Sequence, residues 1–223
     1  MAGRGLGNHV AAAGCHLLFA DQRPERVADC LPEGFGDGWE NIWFNVTCEN
    51  QQMADKRLPY LKELPFRHKG VVCAPFIGPV TLRPYIEEGF IEQVTCGGEN
   101  YNGARPCNYD WVLALHDECR QADVSFSFME IGSDFIKDGK HYRLRTKQRQ
   151  AEQAFRAGLN FRGRAQHFDL RYAIGLPVPP DELYQPHYDG PNCHACGSRL
   201  ICNGCSHCGK CGGNSNKYLD NNA

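Results

Sequence analysis

The 223-residue chain lacks any run of about 18 apolar residues, the length a helix needs to cross a bilayer. Its first thirteen residues, Met1 to Ala13, hold small side chains and one arginine, and their apolar content falls short of a secretory signal. Net charge is only −2, so the chain as a whole carries no strong electrostatic signature. There is no long internal repeat, which argues against a solenoid. Gly97-Gly98 lacks the remaining glycines of a dinucleotide fingerprint, so no nicotinamide cofactor is inferred, and no Ser/His/Asp or Cys/His catalytic set can be recognised. These absences leave a cytoplasmic protein with no membrane partner as the expectation. At 42% hydrophobic residues, the chain can bury one sizeable core, or a core and a small appendage.

Cysteine, by contrast, is abundant: 13 residues. In a secreted chain that count would suggest a disulfide framework with one thiol left over. The distribution points elsewhere. Cys15, Cys30, Cys48, Cys73, Cys96, Cys107 and Cys119 are scattered singly, several in apolar, strand-like runs where cysteine acts as a small buried hydrophobe. The other six crowd together near the end.

The early chain alternates strand-like and helix-like segments. His16 to Ala20, Asn41 to Thr47, Gly70 to Pro75, Phe90 to Cys96 and Val124 to Met129 read as strands. Helical spacing spans Glu49 to Leu64, with Pro59 breaking or restarting it. A short helix is expected over Thr81 to Glu88. The clearest helix is Tyr109 to Ala122, where Trp111, Val112, Leu115 and Cys119 share a face. Such alternation implies parallel βαβ units, and the nearly continuous apolar strands suggest a sheet covered on both faces. The expected fold class is α/β: a partial (βα) barrel or an open parallel sheet, with a small Cys-rich metal-binding tail. Six regions follow: a loose N-terminus (1–14), an α/β core (15–135), a basic, partly helical extension (136–174), a Pro-rich linker (175–191), a Cys-rich metal module (192–213) and a disordered tail (214–223).

The tail pattern is Cys193-x₂-Cys196-x₅-Cys202-x₂-Cys205-x₂-Cys208-x₂-Cys211. Two Cys-x₂-Cys turns complete a tetrahedral site, and glycine after three of the pairs relieves crowding. Little apolar material accompanies them, so a metal would supply most of the folding free energy. Zinc on Cys193, Cys196, Cys208 and Cys211 is the first expectation, with Cys202 and Cys205 as additional ligands or free thiols. The alternative is an iron–sulfur cluster on the compact Cys202-Cys205-Cys208 run, although Cys211 follows at x₂ and no proline comes after it.

In a parallel sheet, ligands bind at the C-terminal strand ends. Glu49 and Glu99 are expected at adjacent strand ends, where two carboxylates would bind a cation, a ribose or an amino group; otherwise Glu49 caps a helix and Glu99 closes a turn. Arg105 is a candidate for holding a carboxylate or phosphate, against an ordinary surface salt bridge. From Lys137 to Arg171 there are ten Lys/Arg and three Asp/Glu, with aromatics interspersed. This suits contact with nucleic acid through Arg143, Arg145, Lys147 and Arg149, against a merely solvated helix.

A series of motifs runs through residues 40–130: Glu40-Asn41-Ile42-Trp43, Val46-Thr47-Cys48-Glu49-Asn50-Gln51, Ala54-Asp55-Lys56-Arg57-Leu58-Pro59, Gly78-Pro79-Val80, Gly97-Gly98-Glu99-Asn100, Gly103-Ala104-Arg105-Pro106 and Asp110-Trp111-Val112. Together with Arg23-Pro24-Glu25-Arg26, they resemble a phage-associated protein family of unknown function. Its full-length members carry an N-terminal three-cysteine motif like that of radical-SAM enzymes. The resemblance spans roughly residues 16–160. It implies a partial or complete (βα) barrel, a [4Fe–4S] cluster and S-adenosylmethionine, with Glu49, Asn50, Glu99 and Asn100 lining the site. This chain departs from the family pattern at Asp21-Gln22, Asn45 and Ala74, and the three-cysteine motif is absent. Two expectations follow: the C-terminal part of an enzyme that needs an N-terminal partner chain or domain, or a non-catalytic metal-stabilised module that binds nucleic acid or protein. The tail spacing predicts stoichiometric zinc in both aerobically and anaerobically purified chain, measured by elemental analysis; iron with labile sulfide would contradict zinc.

Overall fold

Alternation along the strands sets the architecture. In Ile42–Thr47 (β2), Ile42, Phe44 and Val46 are buried apolar residues, while Trp43, Asn45 and Thr47 take the opposite face. The computed structural model describes residues 17–164, 166, 169–171 and 174–179. Around β2 it places Leu17–Asp21 (β1), His68–Cys73 (β3), Gln93–Gly97 (β4) and Ser125–Glu130 (β6) in one parallel sheet of order β1-β2-β3-β4-β6. The chain is therefore an α/β protein built on an open, five-stranded parallel sheet. The strands pair in chain order, as in a segment of a (βα) barrel.

The helices are Gln51–Glu63 (α1), Arg83–Ile86 (α2), Tyr109–Gln121 (α3) and Lys147–Arg156 (α4). Asn50 caps α1 by accepting from the Met53 amide, and Asn108 caps α3 by accepting from the Asp110 amide. Pro59 does not break α1: it sits on the exposed side, and the helix runs through it. The loop before α2 ties α1 to α3. The Thr81 amide donates to Gln51 Oε1 at 2.8 Å, and the Thr81 hydroxyl donates to Glu118 Oε1 at 2.6 Å. The three helices thus lie in a row on the face that carries Phe44, Val46, Val71, Cys73, Val94, Cys96 and Phe126.

The opposite face differs from the expectation of strands apolar on both sides. Strand register puts Asn45 beside Gly70, Thr47 beside Val72, Gly70 beside Gln93, and Thr95 beside Ser127. This second face is mostly polar. Asn45, Thr47 and Thr95 are buried on it, while Trp43, Val72, Gln93 and Ser127 are half-buried. Thr, Gly and Cys dilute the alternation in the sequence, so it reads as a continuous run.

The basic stretch is woven into this fold. Cys107–Asn108 (β5), Asp134–Lys137 (β7) and Lys140–Arg143 (β8) form a second, three-stranded sheet. The β7–β8 hairpin turns at Asp138-Gly139, both with positive φ, the two-residue turn that suits a twisted hairpin. α4 buries Ala151 and Ala154, and Gln150 Nε2 donates to the Leu144 carbonyl at 2.7 Å. Phe161 closes the free edge of β6 by exchanging two backbone hydrogen bonds with Phe126. No helix among the described residues is long and apolar enough to cross a membrane.

Gly70 is the tightest point of the polar face: a Cβ there would overlap Asn45 Oδ1 and lie 3.0 Å from the Gln93 carbonyl oxygen. Gly70→Ala is expected to cost about 1–3 kcal/mol in urea unfolding, as for other overpacking changes. The loss should shrink in an Asn45→Ala background. Unchanged stability of the single variant would contradict this packing.

Candidate functional site at the strand ends

β1 stops pairing at Asp21 opposite Val46, and one residue further on the Thr47 carbonyl takes a side-chain donor instead. That donor is Arg57 of α1. Its Nη1 donates to the Thr47 carbonyl and hydroxyl oxygens at 2.8 Å each and to Glu49 Oε2 at 2.7 Å. The Thr47 hydroxyl donates in turn to Glu49 Oε1 at 3.0 Å. The ion pair is nearly enclosed, with the two side chains 10% and 12% exposed. Glu49 is therefore fixed by Arg57 and does not cap α1; Asn50 does that. Arg57 escaped the sequence reading, although its position between Ala54, Leu58 and Leu61 marks it as a cation on the buried face of a helix, which demands a partner.

Glu99 follows β4. Its Oε2 accepts from the Arg105 amide at 2.7 Å, and its Oε1 accepts from Arg105 Nε at 3.0 Å and from Nη2 of the same guanidinium. These bonds from Arg105 hold the Glu99 carboxyl below its usual range despite the opposing effect of burial. Gly98, just before it, and Gly132 serve backbone packing. A Cβ on Gly98 would overlap the Ile131 carbonyl, and one on Gly132 would lie 2.6 Å from the Glu99 carbonyl oxygen. The ends of β4 and β6 are consequently locked together: the Gly98 amide donates to the Glu130 carbonyl at 2.9 Å, and the Ser133 amide donates to the Glu99 carbonyl at 2.6 Å.

Across this junction, Asn100 Nδ2 donates to Glu130 Oε1 at 2.8 Å. The other carboxylate oxygen, Glu130 Oε2, is buried and has no hydrogen-bond partner. Glu99, Asn100, Arg105 and Glu130 thus form one group. Glu49 and Asn50 belong to another, because β3 lies between β2 and β4. The expectation that Glu49 and Glu99 occupy adjacent strand ends is corrected: two strand spacings, about 10 Å, separate those strands. The strand at Gly70 to Pro75 is legible in the sequence, but the order in which strands pair is not, and here they pair in chain order.

The opposite, N-terminal edge holds a charged cluster of another kind. His68 bridges Glu92 at 3.1 Å and Glu40 at 3.3 Å. Burial opposes the charged ring, yet the two carboxylates raise its pKa above the ordinary value. In parallel α/β folds this edge serves stability. Arg143, Arg145, Lys147 and Arg149 are exposed around β8 and the start of α4, and Arg143 and Arg145 line a cavity together with Asn100.

Cys48, Cys73, Cys96, Cys107 and Cys119 are buried free thiols. Burial pushes those of Cys48, Cys107 and Cys119 up to about 12, and those of Cys73 and Cys96 well above the usual value. These thiols pack in the apolar layer as small hydrophobes. Among the described residues, no three Cys, His, Asp or Glu side chains converge as a metal site. The module from Cys193 to Cys211, with Cys196, Cys202, Cys205 and Cys208, lies outside the described residues.

Residues 11–166 match a family described as a protein of unknown function (DUF5131). No curated protein and no solved structure matches the chain.

Removing Arg57 would leave Glu49 Oε2 and the Thr47 carbonyl without their side-chain donor. Arg57→Leu is expected to destabilise the fold by about 3–5 kcal/mol in urea unfolding, the usual cost of breaking a buried pair from one side. Equal stability of variant and parent would contradict an enclosed pair.

Proposed function

The chain belongs to the DUF5131 family of proteins of unknown function, and on that premise we propose that it is the ligand-binding part of a phage-associated, radical-SAM-like protein. Glu130 carries this reading. Its second carboxylate oxygen is buried at a strand end without a donor. An unsatisfied buried acceptor costs about 1–3 kcal/mol, and a ligand amino or hydroxyl group placed there would remove that cost. The site is at the edge of the sheet where α/β proteins bind their ligands. Asn100 orients Glu130, while Arg105 keeps Glu99 ionised beside it. S-adenosylmethionine offers both an amino group and ribose hydroxyls, which suits such a site. The iron–sulfur cluster of this reading comes from a partner chain or domain that bears the three-cysteine motif, because no three cysteines converge among the described residues. Cys193, Cys196, Cys208 and Cys211 hold a structural zinc, with Cys202 and Cys205 beside them.

Equilibrium dialysis of S-adenosylmethionine against the chain reconstituted with such a partner tests the proposal. Binding is expected, and Glu130→Gln should weaken it about tenfold, or about 1.4 kcal/mol. No binding to the reconstituted pair, or binding indifferent to Glu130→Gln, would contradict it.

A further inference from the structure

The basic stretch gathers its arginines around one hollow. Arg143 ends β8, Arg145 follows it, Thr146 caps α4, and Arg149 and Arg156 project from α4 about two turns apart. These residues line a cavity of about 790 Å³ together with Glu152. Arginines spread along a solvated helix would point to several sides; here four arginines line one space.

Their charge is only partly balanced. Glu152 pairs with Arg156 at 2.5 Å, and Asp134 stands 3.9 Å from Arg143 Nε. Arg145 and Arg149 have no ion-pair partner among the described residues. Among the described residues, the four arginines against these two carboxylates leave a net charge of +2. The first turn of α4 adds its partial positive charge on the same side. A second cavity of about 590 Å³ shares Arg143 and Arg145 with the first and extends to the loop from Asn100 to Ala104. That leaves room for the body of a ligand beyond its charged group.

A carboxylate would engage one guanidinium fork and leave the others facing each other. A terminal phosphoryl group offers three oxygens and close to two negative charges, so it can engage several guanidinium groups at once and matches the net charge. We propose that the hollow between β8 and α4 is a phosphoryl-binding site. Arg145 and Arg149 contact the phosphate oxygens, and Arg143 and Arg156 complete the field. The charge belongs either to a small phosphorylated molecule or, as two successive singly charged phosphodiesters, to a nucleic-acid strand. This site is independent of the strand-end reading: Glu130→Gln leaves it intact, so either idea can fail without the other.

The test uses the full chain and two probes, inorganic pyrophosphate by calorimetry and a fluorescein-labelled oligothymidylate by anisotropy. Saturable binding of at least one probe is expected. Arg145→Gln combined with Arg149→Gln should weaken it at least about tenfold, with thermal unfolding unchanged; that factor is about 1.4 kcal/mol. A control, Lys137→Gln with Lys140→Gln, should retain the parent affinity. Pyrophosphate that binds and displaces the oligonucleotide identifies a small phosphorylated ligand. Oligonucleotide binding that pyrophosphate does not match, and that falls steeply with salt, identifies a strand. The proposal is overturned if neither probe binds, if the arginine pair leaves binding unchanged, or if the lysine control weakens it equally.

Discussion

Five parallel strands paired in chain order, with their helices in a row on one side, form the constraint on which the rest of the structure depends. Because successive strands are neighbours, each crossover returns to the same face. That face takes the apolar side chains of every strand and of α1 and α3. Buried cysteines fill gaps in this layer as small apolar groups, which accounts for their high pKa values without invoking reactivity. The other face is freed from the apolar core and carries Asn45, Thr47, Gln93, Thr95 and Ser127.

The same geometry concentrates unmet hydrogen-bonding capacity at the C-terminal edge. Where β1 runs out, Arg57 reaches up from α1 to serve Thr47 and Glu49. Where β4 and β6 end, glycines at 98 and 132 let the two backbones close together, so Glu99 and Glu130 emerge side by side. Three of the carboxylate oxygens at that junction have donors from Arg105 and Asn100; Glu130 Oε2 does not. The basic segment, packed against the β6 edge through α4 and Phe161, brings a cationic hollow to the neighbouring surface. A negatively biased strand edge and a positively biased flank therefore share one end of the molecule.

Much of this was legible in the sequence. The five strands and α1 and α3 follow from apolar segments bounded by capping and turn residues, and the Val112, Leu115 and Cys119 face of α3 is buried as its period implies. Strands of two to four residues, β5, β7 and β8, are too short to show a period, although Asp138-Gly139 is a hairpin signal in plain view. The polar face was hidden because Thr and Gly interrupt the alternation without looking like surface. Glu99, Asn100 and Arg105 were legible as site candidates. Arg57 and the grouping of Glu99 with Glu130 required the register of the sheet, which no local pattern encodes.

Site-resolved alkylation of the native chain, read by peptide mass spectrometry, tests the two-faced sheet most directly. Val72 and Cys73 are neighbours on β3 that face opposite sides. The account predicts that a Val72→Cys thiol, on the half-buried polar face, reacts much faster than Cys73, and that Cys96 stays as protected as Cys73 until the fold is melted. Equal reactivity at positions 72 and 73, or faster modification of Cys73, would contradict it.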